Sequence, residues 1–90
     1  MTKTRQTTIK RLTMRSMRRG IKEMDLILPA FAGVHLDQMD DAALDLYEAL
    51  LAENDHDLYQ WVTGQDSAPE HYAGLIALIA QGAHGIAAPA

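Results

Sequence analysis

The chain of 90 residues contains no cysteine and no long uninterrupted apolar segment. Without cysteine it can form no disulfide, use no thiolate nucleophile and build no cysteine-based zinc site. No run approaches the roughly 18 consecutive apolar residues that indicate a membrane-spanning helix. The basic start, residues 1–11, leads into no apolar core of a secretory signal. These absences predict a cytoplasmic protein without a membrane span.

Aromatic residues are also scarce, at 6% of the chain, although hydrophobic residues of all kinds make up 48%. Alanine, leucine, isoleucine and methionine dominate the apolar content. This mixture favours helices and lacks the valine, threonine and aromatic weighting of sheets. We find no strand pattern and no internal repeat. The composition therefore predicts an all-α protein.

Apolar residues recur at the three-four spacing of a buried helix face in five segments. The predicted helices cover about 8–18, 21–33, 40–53, 55–63 and 69–81. Their apolar faces predict a compact five-helix bundle over residues 8–81, between a flexible N-terminus (1–7) and a flexible C-terminal tail (82–90). Gly33, Gly64 and Gly82 are the predicted helix ends. Pro29 predicts a kink or an early end in the second helix.

The positive and negative charges are separated along the chain. All eight Lys and Arg residues lie within 1–22, and all twelve Asp and Glu residues lie within 23–90. Such a separation indicates an electrostatic role for the basic segment. Either this segment docks on the chain's own acidic body, or it binds an external partner. Nucleic acid is disfavoured as that partner, because the acidic body would repel phosphate groups.

The residue types that carry catalysis show no catalytic arrangement. The four histidines have no metal-ligand spacing, and no nucleophile elbow, phosphate loop or dinucleotide fingerprint occurs. Two acidic pairs, at 40–41 and 55–57, lie at predicted helix starts, where capping accounts for them. We therefore predict that the protein is not an enzyme and holds neither a metal nor a stably bound cofactor.

The segment from Arg18 to Glu23 joins the basic part of the chain to the acidic part. Gly20 could end the first helix in a left-handed conformation, or it could begin the second helix as its N-cap. As N-cap it would place Glu23 at the third helical position, where its side chain can close a capping box. Arg18 and Arg19 suit the negative end of the first helix.

Local structure leaves one charge of this segment unexplained. Lys22 falls in the first turn of the second helix, where a cation is unfavourable. A local rule that is broken without local gain indicates a functional contact. A second candidate contact is Tyr59, which lies two positions from the predicted core residue Trp61 and should therefore face outward. We predict that both places belong to a partner-binding surface.

The string Arg19-Gly20-x-x-Glu23, preceded by Arg18 and followed by Met24-Asp25, resembles the RGxxE motif of the SdhE family. The likeness runs from about residue 11 to residue 79 and includes DLYxWxTG at 57–64. Members of that family are small five-helix assembly factors that promote covalent flavin attachment to the flavoprotein subunit of succinate dehydrogenase. Pro29 departs from the family pattern, which more often has glycine or another residue there.

The resemblance implies a non-catalytic chaperone that binds the flavoprotein subunit of succinate dehydrogenase and of the related fumarate reductase. FAD becomes attached to that partner and is not held by this chain. The implied binding residues are Arg18, Arg19, Gly20, Glu23 and Asp25. In this hypothesis Arg19 and Glu23 make charge-assisted contacts to the partner, and Gly20 lets the backbone approach closely.

Two other classes of function compete with this interpretation. A small helical nucleic-acid binder or antitoxin-like regulator would use the basic N-terminal segment, and its affinity would fall steeply with salt. A scaffold for another enzyme would also carry a contact surface without catalytic groups.

Overall fold

The computed structural model describes the backbone of residues 4–87 and the side chains of residues 4–83. Over these residues the chain forms five α-helices and one 3-10 turn. The helices are α1 (Arg5–Arg15), α2 (Lys22–His35), α3 (Asp41–Leu51), α4 (Asp55–Val62) and α5 (Glu70–Ala87), with the 3-10 turn at Leu36–Gln38 between α2 and α3. The prediction of an all-α five-helix bundle is confirmed.

The core lies between α2 and α5, which pack most extensively on each other. Helix α1 packs on α2 and α3, and α4 packs on α2 and α5. The predicted apolar faces of the last four helices are buried. Their largest buried side chains are Met24, Ile27, Leu28, Phe31, Leu44, Tyr47, Leu50, Leu51, Leu58, Val62, Tyr72, Leu75, Ile76 and Ile79. In α1 only Leu12 is buried, whereas Met14 and, beyond the end of the helix, Met17 are exposed.

Helix α1 begins earlier than predicted and also ends earlier. Thr4 is its N-cap, and the Thr4 hydroxyl accepts a hydrogen bond from the Thr7 backbone N–H at 3.1 Å. The helix therefore includes Arg5–Thr7, which we had placed in the flexible N-terminus. Residues 1–3 of that predicted segment lie outside the described residues.

Helix α2 continues through Pro29 and Gly33 to His35, so the predicted early end is wrong. A proline inside a helix costs roughly 3 kcal/mol because one hydrogen bond is lost and the ring crowds the preceding turn. Burial of each large apolar side chain contributes about 1.5–3 kcal/mol. Phe31 and Ala32, both beyond Pro29, lie in the core. Tertiary packing of this face thus outweighs the local cost.

The starts of α3 and α4 follow ordinary capping chemistry. The Asp40 carboxylate accepts from the Ala43 N–H at 2.8 Å, as expected for the N-cap of α3. The N-cap of α4 is Asn54, whose side chain accepts from the His56 N–H at 2.8 Å, and not the predicted Asp55. Helix α4 ends at Val62 with Thr63 as its C-cap, and Gly64, the predicted terminator, follows with a left-handed φ of 80°. Because Asn54 caps the helix, the Asp55 side chain can make another contact.

Helix α5 continues past Gly82 to Ala87, so its predicted end is wrong. Ala83 is buried against the core, and this packing extends the helix beyond the glycine. The predicted flexible tail is therefore helical from residue 82 to residue 87, and residues 88–90 lie outside the described residues.

A buried hydrogen bond joins α1 to α3. The hydroxyls of Ser16 and Tyr47 lie 2.6 Å apart, and both residues are fully buried. Ser16 also donates to the Leu12 carbonyl at 2.8 Å, so Tyr47 donates the shared bond. Burial raises the pKa of Tyr47 to about 12, against the smaller opposing effects of Ser16 and the positive charge of Arg19. This bond fixes the end of α1, from which the next turn departs.

Candidate functional site

The turn between α1 and α2 carries the motif, and its backbone differs from both predicted forms. Arg18, and not Gly20, takes the left-handed conformation, with φ of 56°. The N-cap of α2 is Ile21, which makes no side-chain cap hydrogen bond. Gly20 is therefore neither a left-handed helix end nor the N-cap. Because the helix begins at Lys22, Glu23 is its second residue and forms no capping box.

Arg19 is directed into the protein, where its guanidinium joins three helices. Nη1 donates to the Arg15 carbonyl at the end of α1 at 3.0 Å, and Nη2 donates to the Leu51 carbonyl at the end of α3 at 2.9 Å. Nε donates to Asp55 Oδ1, the first residue of α4, at 2.9 Å. The Arg19 side chain is only 12% exposed and that of Asp55 only 16%. Arg19 therefore acts as a structural anchor of the turn.

Asp55 also holds the backbone of Gly20. The Gly20 N–H donates to Asp55 Oδ2 at 2.6 Å, while Oδ1 of the same carboxylate lies 2.7 Å from Arg19 Nη2. A Cβ atom at residue 20 would lie 3.1 Å from Asp55 Oδ2, which is closer than most carbon–oxygen contacts. The glycine thus lets this carboxylate approach the backbone closely, and its role here is not to allow a left-handed backbone.

Asp25 closes the turn on the side of α2. Its Oδ1 accepts from the Arg19 backbone N–H at 3.2 Å, and its side chain is exposed. This contact ties the segment before Gly20 to the first turn of α2. The backbone of the motif is therefore fixed from two directions, by Asp25 and by Asp55.

Three charged side chains remain outside this network. Arg18, Lys22 and Glu23 are exposed, and within residues 4–83 none of them makes a hydrogen bond or an ion pair. The predicted surface thus divides into two parts. Arg19, Gly20 and Asp25 hold the turn, and the three unpaired charges, which we call the exposed triad, face solvent. The side chains of this triad are therefore the part of the motif that a partner can contact directly.

Part of the basic segment docks on the chain's own acidic body. The guanidinium of Arg11 lies 2.6 Å from the Glu48 carboxylate, and that of Arg15 lies 3.3 Å from it. Arg5 lies 3.5 Å from Asp41. The Arg5 side chain also donates to the backbone carbonyls of Asp37 and Met39. The self-docking alternative is therefore confirmed for these residues, whereas Lys3 lies outside the described residues.

Tyr59 and Trp61 are both half-buried against the core. The outward orientation predicted for Tyr59 and the core position predicted for Trp61 are therefore each only partly correct. The Trp61 ring packs on Tyr72, with ring centroids 5.9 Å apart, and borders a shallow groove beside the α4–α5 connection. Tyr59 and Trp61 both lie on α4, the helix that begins at Asp55.

No group of three or more histidine or acidic side chains in the described part of the chain could hold a metal ion. The described helices include none that is long and apolar enough to cross a membrane. Sequence reasoning missed Asp55, because its position at the start of α4 suggested a capping role. Its contacts with Gly20 and Arg19 span 35 and 36 positions of the chain, and no local sequence pattern indicates contacts at such a separation.

The fold and this site define a class: a small all-α protein in which an anchored turn exposes charges that have no partner among the described residues. The sequence matches the family Sdh5, described as "flavinator of succinate dehydrogenase", over residues 10–83. This match covers most of the chain. The chain therefore belongs to the Sdh5 family, and the resemblance to the flavin assembly factors is confirmed.

Three relatives of this chain carry the name succinate dehydrogenase assembly factor 2, mitochondrial. The protein from Meyerozyma guilliermondii is 50% identical over 60 residues, covering 67% of this chain and 44% of its own length. That from Candida glabrata is 53% identical over 53 residues, covering 59% and 35%. That from Schizosaccharomyces japonicus is 45% identical over 62 residues, covering 69% and 43%. This chain thus spans less than half the length of these relatives.

Proposed function

We propose that this chain binds the flavoprotein subunit of succinate dehydrogenase and promotes covalent attachment of FAD to that subunit. Family membership supports the role in flavin attachment. The observation that carries the proposal is the exposed triad of the RGxxE turn, whose charges have no partner among the described residues. The flavoprotein of the related fumarate reductase is a second proposed client.

The proposed role is non-catalytic. The bond between flavin and protein is chemistry of the cofactor and the flavoprotein, and this chain would supply binding and orientation. Binding would select the flavoprotein conformation in which the flavin and its acceptor side chain are aligned. FAD is not held stably by this chain in the proposal.

We assign different roles to the two parts of the motif. Arg19 and Gly20 act by holding the turn, because the described side-chain donors of Arg19 are directed to Arg15, Leu51 and Asp55. Glu23 and Lys22 act by direct contact, since both project from the first turn of α2 into solvent. Tyr59, which is half-buried on α4, stays a proposed contact.

The proposal is tested by mixing the apo-flavoprotein subunit, FAD and this protein, and measuring covalent flavin by in-gel fluorescence. We expect Glu23→Ala to lower the labelling rate at least about tenfold, which corresponds to loss of one charge-assisted contact. The thermal midpoint should stay within about 3 °C of the wild-type value, since Glu23 makes no contact that the fold needs.

Glu70→Ala is the matched control, because Glu70 is also an exposed glutamate in the first turn of a helix, α5. It should label at the wild-type rate. Equal labelling by Glu23→Ala and the control would exclude Glu23 from the interface. Absence of any stimulation by the wild-type chain would overturn the proposed function itself.

The ion pairs of the basic segment weaken the nucleic-acid alternative. Arg5, Arg11, Arg15 and Arg19 are occupied by acidic groups of the same chain, so their charge is not offered to phosphate. A salt titration of DNA or RNA binding tests this alternative, and a pull-down from native lysate tests the scaffold alternative. The cytoplasmic location stays a prediction that cell fractionation can check.

A further inference from the structure

Arg18 has a backbone conformation that its residue type disfavours. Its φ of 56° lies in the left-handed region, where the Cβ atom of an L-residue crowds the following carbonyl. Among the described residues Gly64 is the other position with a positive φ. Glycine adopts this conformation cheaply, and asparagine does so more easily than arginine. After α4 the left-handed position is thus filled by glycine, the residue type that favours it. After α1 the same conformation is adopted by an arginine.

The cost at Arg18 is not offset by a contact within the described chain. Its side chain is exposed and makes no hydrogen bond or ion pair there, whereas the neighbouring Arg19 uses all three of its side-chain nitrogens. The turn itself is held by Asp25 and Asp55 through residues 19 and 20. A guanidinium at residue 18 is therefore not needed to form the turn.

We propose that Arg18 is kept at this strained position as a recognition residue for a carboxylate group on the partner protein. Backbone strain of this kind persists at sites that position a side chain for binding. A guanidinium offers a planar set of donors that fits a carboxylate with two parallel hydrogen bonds. This inference rests on the proposed function, because the partner is the flavoprotein subunit named there.

The charges around Arg18 favour a carboxylate on a protein surface over a polyphosphate chain. Glu23 and Asp25 are exposed in the first turn of α2, and the Arg19–Asp25 hydrogen bond holds that turn against the segment of residue 18. These two carboxylates offset the positive charges of Arg18 and Lys22, so this surface has little net positive charge to attract an extended polyanion. A partner surface with both signs of charge can pair with Arg18 and Glu23 together.

The test measures binding of the apo-flavoprotein subunit by biolayer interferometry at several salt concentrations, together with the thermal midpoint of each variant. Arg18→Asn should weaken binding about tenfold at low salt, and the difference should narrow as salt increases. Its thermal midpoint should equal or exceed that of the wild type, because asparagine tolerates the left-handed conformation. Arg18→Lys should bind with intermediate affinity, since lysine keeps the charge but not the planar donors.

Lys10→Asn is the control, because it removes from α1 one exposed positive charge that makes no ion pair with the described residues. It should bind like the wild type. If Arg18→Asn also binds like the wild type, or loses affinity only together with thermal stability, the recognition role is overturned. A wild-type chain that does not bind the flavoprotein overturns the proposed function, and this inference with it.

Discussion

Arg19 and Asp55 form an ion pair of 2.7 Å that joins the RGxxE turn to the first residue of α4. The same carboxylate accepts the backbone N–H of Gly20, so a single side chain holds two residues of the motif. Two of the three defined motif positions are therefore fixed from inside the molecule. The third, Glu23, is exposed and carries the contact role in the proposed function.

Replacement of Asp55 should destabilise the fold more than replacement of any exposed acid on α4. Asp55→Ala leaves the nearly buried guanidinium of Arg19 without its anionic partner, which should cost about 2–3 kcal/mol in the free energy of unfolding. Asp57→Ala, in the same helical turn, removes an exposed carboxylate. It should lower the free energy of unfolding by only a few tenths of a kcal/mol, roughly the contribution of its interaction with the helix dipole. Urea denaturation of both variants measures the difference, and equal midpoints would refute the anchoring role.

Replacement by alanine should change the stability of the protein in opposite directions at Gly20 and at Gly33. Gly20→Ala places a methyl group against Asp55 Oδ2, in a carboxylate whose other oxygen, Oδ1, is held by Arg19, and should destabilise the protein by about 1 kcal/mol. Gly33→Ala adds a methyl group in open space inside α2 and should stabilise by about 0.5–1 kcal/mol. Thermal unfolding of the pair provides the measurement. A stabilised Gly20→Ala variant would show that the carboxylate can move away.

The buried Tyr47 should make the fold sensitive to alkali. Its pKa of about 12 in the folded protein lies above the ordinary value of 10.0, so the unfolded chain releases the phenolic proton first as pH increases. The stability from this group is full below pH 10 and is lost between pH 10 and 12. The loss amounts to about 2–3 kcal/mol for a shift of this size.

Tyr47→Phe should remove this part of the pH dependence and lower stability at pH 7 by about 1–2 kcal/mol, because Ser16 loses its partner. Tyr59→Phe controls for the loss of a phenolic hydroxyl at a half-buried site. Unfolding curves recorded from pH 8 to pH 11.5 give the comparison. An unchanged slope in Tyr47→Phe would assign the alkaline transition to other groups.

Glu48 should govern how firmly α1 stays on the bundle. Its carboxylate accepts hydrogen bonds from both Arg11 and Arg15. Glu48→Gln should lower stability by about 0.5–1 kcal/mol, a small effect because these pairs are partly exposed. Amide hydrogen exchange should become faster in α1 while α4 and α5 keep their protection. Asp45→Asn, an exposed change on the same helix, should leave both measurements unchanged.

The sequence alone determined the number of helices and most of the core. Apolar spacing identified the buried faces of α2 to α5, because a helix that packs on one side must repeat every three to four residues. It also located Asp40 as a helix cap and Gly64 as a helix end, since these are local backbone requirements. The motif and its family were visible in the residues themselves.

The tertiary structure decided where helices end and what each charged residue does. Helices α2 and α5 pass Pro29, Gly33 and Gly82 because packing between them outweighs local propensity. Asp55 meets Arg19 only when the fold brings distant segments together, and no local pattern encodes such a contact. The sequence thus determined that Arg18 to Glu23 is unusual. Only the fold separated its anchoring residues from its exposed ones, since burial and pairing are properties of the whole chain.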